Sequence, residues 1–145
     1  MEENIIKILL ANDHTLFRTG VKKILEEKSP NIKVLGEAEN FKQVLSILSE
    51  PNTFHILILD DVMPFGDPLE TILSIKEKWP DLKIIVTGMY GASSPQFKPF
   101  MPYIDGLLSL AAGVEDYVKV IETVSKGGLH FYITGFDKKV KGESI

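Results

Sequence analysis

The sequence predicts a single α/β domain built on a doubly wound, five-stranded parallel sheet, and three observations predict it. Five short apolar runs recur along the chain, amphipathic segments of helical period separate them, and the runs themselves do not alternate apolar with polar residues. A run such as Ile56-Leu57-Ile58-Leu59 suits a strand covered by helices on both faces, as strands of a parallel sheet are. Strand–helix alternation repeated along the whole chain then gives the doubly wound arrangement.

The expected strands are residues 5–11, 32–36, 55–60, 82–87 and 106–110. The first helix carries the stripe Phe17, Val21, Ile24 and Leu25, and the second carries Phe41, Val44, Leu45 and Leu48. Leu69, Ile72, Leu73 and Lys76 open the third, and Val114, Tyr117, Val118, Ile121 and Val124 form the last. Asn40 with Gln43, and Asp67 with Glu70, have capping-box spacing, and Pro68 stands where a first helical residue should. Gly127-Gly128 suits the end of the last helix.

The connection between the fourth and fifth strands is different. Ser94-Pro95 suits a helix start, but Pro99 and Pro102 fall in what would be its interior, where each costs about 3 kcal/mol. Residues 93–103 therefore predict an irregular fourth helix, short, distorted or absent, with Phe97, Phe100, Met101 and Tyr103 crowded nearby. Those aromatics read either as a remodelled partner surface or as side chains that pack on the core.

Composition bounds the function. A chain of 145 residues fits one domain and buries roughly 70% of its unfolded surface. A net charge of −4 and a pI near 5.4 argue against nucleic acid as the partner of this segment, because phosphate contacts need clustered Lys and Arg. The absence of cysteine excludes disulfides, thiolate metal sites and thiol catalysis. No apolar stretch approaches the roughly 20 residues of a membrane span, and the acidic start with Lys7 in the first apolar run is no signal peptide. The sequence reads as a cytoplasmic protein with no membrane partner.

In a doubly wound sheet the functional crevice lies beyond the carboxyl ends of the strands. Asn12, Asp13 and His14 stand there after the first strand, Asp60 and Asp61 after the third, Thr87 and Gly88 after the fourth, and Leu110 after the fifth. Asp13 and Asp60 at neighbouring strand ends are natural ligands for a hard divalent cation such as magnesium. A carboxylate there can also be a nucleophile that accepts a phosphoryl group. A lone Asp after a strand is ordinarily a cap or turn residue, and Asp13 alone would divide evenly between the two roles. Asp60 is different, because it directly follows four apolar residues and precedes a second acid. The loop after the first strand has no glycine and one acid, so it would repel a bare phosphate, and it lacks the Asp-x-Asp of aspartyl-nucleophile hydrolases. His14 as a base competes with the commoner role of a surface or capping residue.

Leu9-Leu10-Ala11-Asn12-Asp13-His14, followed by Leu57-Ile58-Leu59-Asp60-Asp61-Val62-Met63-Pro64, resembles the receiver domain of bacterial response regulators. Asn12-Asp13-His14, Val34-Leu35-Gly36-Glu37-Ala38 and Gly127-Gly128 narrow the resemblance to the NarL/LuxR-type subfamily. It covers residues 5 to about 131. The resemblance implies a flavodoxin-like fold and a signalling role that is not enzymatic. It implies Asp60 as phosphoacceptor, and magnesium held by Asp13, Asp60 and the Val62 carbonyl. It further implies a histidine kinase and a second copy of the chain as partners, and DNA only through a helix-turn-helix domain outside this chain. Residues 1–131 would be the receiver-like domain and 132–145 a tail or the start of a linker.

Four positions depart from the family pattern. Asn12 stands where the first of two acids is usual, Gly88 where Thr or Ser is usual, Leu107 where an aromatic switch residue is usual, and Leu110 where a Lys is usual. Thr87, one residue early, is expected to point to the other face of its strand. Leu110 cannot give the charge-assisted hydrogen bond that the Lys gives the phosphoryl group, a contact of about 1.5–3 kcal/mol. Asn12 removes one acid as Leu110 removes one base, which leaves the charge of the site near minus two. Asp61, where an apolar residue is usual, reads as a hydrogen-bonded turn residue or as part of the output side. The leading expectation is an atypical receiver with phospho-switching weakened or lost. The alternatives are a conventional receiver that takes phosphate at Asp60 with magnesium, and a small-ligand module that uses the place vacated by the Lys.

Overall fold

The computed structural model describes residues 4–89 and 95–131. Strands β1 (Ile6–Ala11), β2 (Ile32–Ala38), β3 (Ile56–Asp60), β4 (Lys83–Gly88), β5 (Gly106–Ser109) and β6 (His130–Phe131) form one parallel sheet in the order β2-β1-β3-β4-β5-β6. Helices α1 (Thr15–Lys28), α2 (Phe41–Ser49), α3 (Pro68–Lys78) and α4 (Val114–Ser125) cover it. The order 2-1-3-4-5 is the flavodoxin-like one, with its crevice between β1 and β3.

The sheet has a sixth strand that the sequence reading lacks. β6 is two residues long, too short to carry a periodic signal, and backbone pairing holds it: the His130 N–H donates to the Asp105 carbonyl at 3.0 Å. The tail assigned to residues 132–145 lies outside the described residues. No helix among the described residues is long and apolar enough to cross a membrane.

Two apolar cores sit on the two faces of the sheet. Ile8, Leu10, Ile56, Ile58, Ile85 and Leu108 pack with Leu25 of α1 and with Tyr117, Val120, Ile121 and Val124 of α4. Leu9, Leu57, Leu59, Ile84, Val86 and Leu107 pack on the other face with α2, α3 and the connection before β5. Alternate residues of every central strand thus feed opposite cores, which is why no polar alternation is visible in the sequence.

The signposted helix ends are real. Asn40 and Asp67 accept hydrogen bonds from the Gln43 and Glu70 N–H groups at 2.7 and 2.9 Å. Gly127 has φ +91°, and the N–H groups of Gly127 and Gly128 reach the Val124 and Thr123 carbonyls, closing α4 with a left-handed residue that glycine adopts without strain.

The proline-rich connection forms no α-helix over residues 95–103. Two 3₁₀ turns, Pro95–Phe97 and Met101–Tyr103, replace it, and Ser93 and Ser94 lie outside the described residues. Bonds from Lys98 to Pro95, Phe100 to Phe97, Met101 to Lys98 and Tyr103 to Phe100 all span three residues. Such spacing lets the chain pass Pro99 and Pro102, which have no N–H to give. Phe97 and Phe100 turn inward and are buried in the core of α2 and α3, with ring centroids 6.2 Å apart. Tyr103 remains partly exposed.

Candidate functional site

The carboxyl ends of β1, β3 and β4 bring the expected acids together. Asp60 is the last residue of β3 and is 5% exposed. It follows Ile58 by two positions and so leaves the sheet on the face of α1 and α4. Its register partner on β4 is Thr87, and the Thr87 hydroxyl donates to Asp60 Oδ1 at 3.2 Å.

This corrects the expectation that Thr87 faces away. Thr87 follows Ile85, whose side chain lies in the same core as Ile58, so the hydroxyl emerges beside the carboxylate. Gly88 belongs to the opposite face: a Cβ added there would collide with the Phe97 ring and lie 3.2 Å from Asp61 Oδ1. The sequence could not show this, because a strand buried on both faces carries no polar marker of which residues share a side.

Burial, then the charge of Asp61, then that of Asp13, push the Asp60 carboxyl up to about 6, against hydrogen bonds from Thr87 and from the Val62 backbone. Asp13 and Asp60 therefore do share one field. The count of minus two omitted Asp61, whose charge acts on Asp60 more strongly than that of Asp13. Asp61 itself accepts a hydrogen bond from the Gln96 amide at 3.1 Å, across to the 3₁₀ turn, so it is both a bonded turn residue and a neighbour of the remodelled connection. No Lys or Arg among the described residues pairs with Asp60.

Asn12 is buried, and its side-chain oxygen accepts from the His14 N–H at 2.8 Å, while its carbonyl accepts from Arg18 at 2.6 Å. It thus shapes the loop that presents Asp13. His14 begins α1, is mostly exposed and lies 3.1 Å from Asp13; nothing places it on Asp60. Leu107 is fully buried, and Leu110, half-buried, is held through its N–H to the Gly88 carbonyl at 2.7 Å.

The donor set fits a hard cation. Two carboxylates in surplus negative charge, with the Val62 carbonyl adjoining them in sequence, match the few protein oxygens that magnesium needs beside its waters. Among the described residues there is no cluster of three or more His, Cys, Asp or Glu that would make an all-protein cage. Two grooves lie elsewhere. The larger, about 1320 Å³, lies at the amino ends of the strands past Lys7, Asn52, His55 and Trp79, and the smaller is lined by Asn40, Gln43 and Phe65; neither is lined by Asp13, Asp60 or Leu110.

The profile of the response regulator receiver domain matches residues 8–122. The chain belongs to the response regulator receiver family. This receiver is 32% identical over 120 residues to the nitrate/nitrite response regulator protein NarL of Escherichia coli K12, across 83% of this chain and 55% of NarL. It is 30% identical over 123 residues to the response regulator UvrY of the same strain, across 85% of this chain and 56% of UvrY. The chain spans little more than half the length of these curated relatives. The isolated REC domain of RcsB from Salmonella enterica serovar Typhimurium, solved with the phosphomimetic BeF3⁻, superposes with a TM-score of 0.79 at 25% identity, covering 94% of this chain and 99% of that one. The relatives are regulators of the NarL/LuxR type, and receivers are signalling domains rather than enzymes. Receiver domains typically bind magnesium at the phosphorylation site.

Proposed function

We propose that Asp60 accepts a phosphoryl group and that this receiver relays the event to its output surface only weakly. The observation that carries the reading is the Thr87 hydroxyl on Asp60 Oδ1, in a site whose excess negative charge no side-chain cation among the described residues offsets. An Asp60 oxygen attacks the phosphorus of a phosphohistidine or a small phosphodonor. The new P–O bond forms as the donor's P–N or P–O bond breaks, and the leaving atom takes a proton. Thr87 donates to the acceptor carboxylate and positions it. Asp13, Asp60 and the Val62 carbonyl would hold magnesium, which when bound offsets charge on the transferring oxygens.

The weak relay rests on β5 and the residue that follows it. Leu110 cannot donate, and Leu107 is buried and apolar. The link from phosphoryl group to aromatic switch keeps a hydroxyl in Thr87 but lacks the aromatic at its other end. A histidine kinase is the donor this chemistry calls for. RcsB is described as dimers bound to DNA; by that likeness a second copy of the chain is a partner, and DNA is reached through a helix-turn-helix domain outside residues 1–131. The small-ligand alternative would place its ligand beside Leu110, away from both of these grooves.

Beryllofluoride or acetyl phosphate in millimolar magnesium tests this. The expected result is a stoichiometric adduct at Asp60, absent in Asp60→Asn and diminished in Thr87→Val, with little change in oligomeric state. No adduct on the wild-type chain rejects the acceptor, and an adduct that drives full dimerisation rejects the weak relay.

A further inference from the structure

Tyr117 is 5% exposed, and its hydroxyl is buried with no hydrogen-bond partner among the described residues. Buried polar atoms are nearly always paired with protein, water or ligand, so this hydroxyl has a hydrogen bond still to give.

Its position says which partner. Tyr117 lies in the first turn of α4, just past the loop that carries Leu110. It belongs to the apolar core that includes Ile58 and Leu108. Asp60 stands two residues beyond Ile58 on that face, and Thr87 is the register partner of Leu108. The ring therefore lies beneath the strand ends from which Asp60 and Thr87 emerge. Burial, and after it the charge of Asp60, push the Tyr117 hydroxyl up to about 12, so it keeps its proton and acts as a donor at any physiological pH.

We propose that the Tyr117 hydroxyl donates a hydrogen bond to the anionic group carried by Asp60, from within the core, in the place of the Lys that Leu110 replaces. The inference rests on the reading of Asp60 as phosphoacceptor. In the free receiver the Asp60 carboxylate already has the Thr87 hydroxyl. A phosphoryl or beryllofluoride group adds acceptor atoms beyond the carboxylate, and these are what the orphan hydroxyl would serve. A phenol supplies direction without charge, so it replaces the Lys hydrogen bond and not its ion pairing.

The test is a beryllofluoride titration of the whole chain at saturating magnesium, with magnesium affinity measured separately without beryllofluoride. Tyr117→Phe is near-isosteric and removes only the orphan oxygen. It is expected to weaken beryllofluoride binding about five- to tenfold, the worth of one hydrogen bond, with magnesium affinity unchanged and the melting temperature of the free receiver no lower, since the removed hydroxyl is unpaired there. Leu110→Lys added to Tyr117→Phe is expected to restore the affinity. Equal beryllofluoride affinity in wild type and Tyr117→Phe overturns this inference alone. Parallel loss of magnesium and beryllofluoride binding, or no recovery with the added Lys, marks a packing role and also overturns it. No binding by the wild type at all overturns the acceptor reading together with it.

Discussion

The two faces of β4 at its carboxyl end differ by one residue in sequence and completely in condition. On the face of α1 and α4, Thr87 gives its hydroxyl to Asp60, a carboxylate also held in the field of Asp61 and Asp13. On the face of α2 and α3, Gly88 has no side chain, and the Phe97 ring occupies the space beside it. A polar contact at the site and the apolar packing behind it are thus separable in this fold, since a strand sends alternate side chains to opposite cores. One face can carry a hydrogen bond to Asp60 while the other is filled by a ring.

The largest effect that could break this comparison is on the face filled by the ring. Phe97 is fully buried, so Phe97→Ala should cost about 3–5 kcal/mol in chemical denaturation. Gly88→Ser should cost about 1–3 kcal/mol by overpacking against the ring. The double variant should cost less than the sum, because the smaller side chain makes room for the hydroxyl. Strict additivity would mean that Gly88 and Phe97 are not packed as one unit.

A smaller effect, of opposite sign, is expected on the acceptor face. The Asp60 carboxyl titrates near 6 in the folded chain against about 3.9 unfolded, so the folded state holds the proton more tightly. Its contribution is most favourable below about pH 4 and is lost as the pH rises through 6. Asp60→Asn should therefore stabilise the chelator-treated protein by about 1–2 kcal/mol at pH 7, a value discounted for the solvent that reaches the carboxylate. The gain should shrink toward pH 4, and melting curves across that range would show it. A constant gain would point to packing instead of charge.

The smallest expected effect concerns Asn12. Asn12→Asp keeps an acceptor for the His14 N–H but adds a carboxylate to the field of Asp13, Asp60 and Asp61. It should lower stability by about 0.5–1 kcal/mol in chelator, with recovery in millimolar magnesium. An unchanged melting temperature would mean that Asn12 serves the loop alone.

Sequence patterning made the architecture legible where local chemistry carried the signal. Apolar runs marked β1 to β5, Asn40, Asp67 and Pro68 marked helix starts, and Gly127 marked the end of α4. The prolines announced a fourth helix that would be short, distorted or absent, and two 3₁₀ turns stand in its place over residues 95–103. β6 was silent because two residues joined by backbone bonds have no pattern.

By itself, then, the sequence determined the doubly wound sheet and the meeting of Asp13 and Asp60 beyond its strand ends, since periodicity and the position of acids after apolar runs are local properties. Tertiary structure alone decided three things: that Thr87 and not Gly88 shares the face of Asp60, that Asp61 adds its charge to that site, and that the Tyr117 hydroxyl is buried unpaired near it. Each depends on which side chains the folded chain places together across the sheet. That information is absent from a strand buried on both faces, whose every residue reads alike.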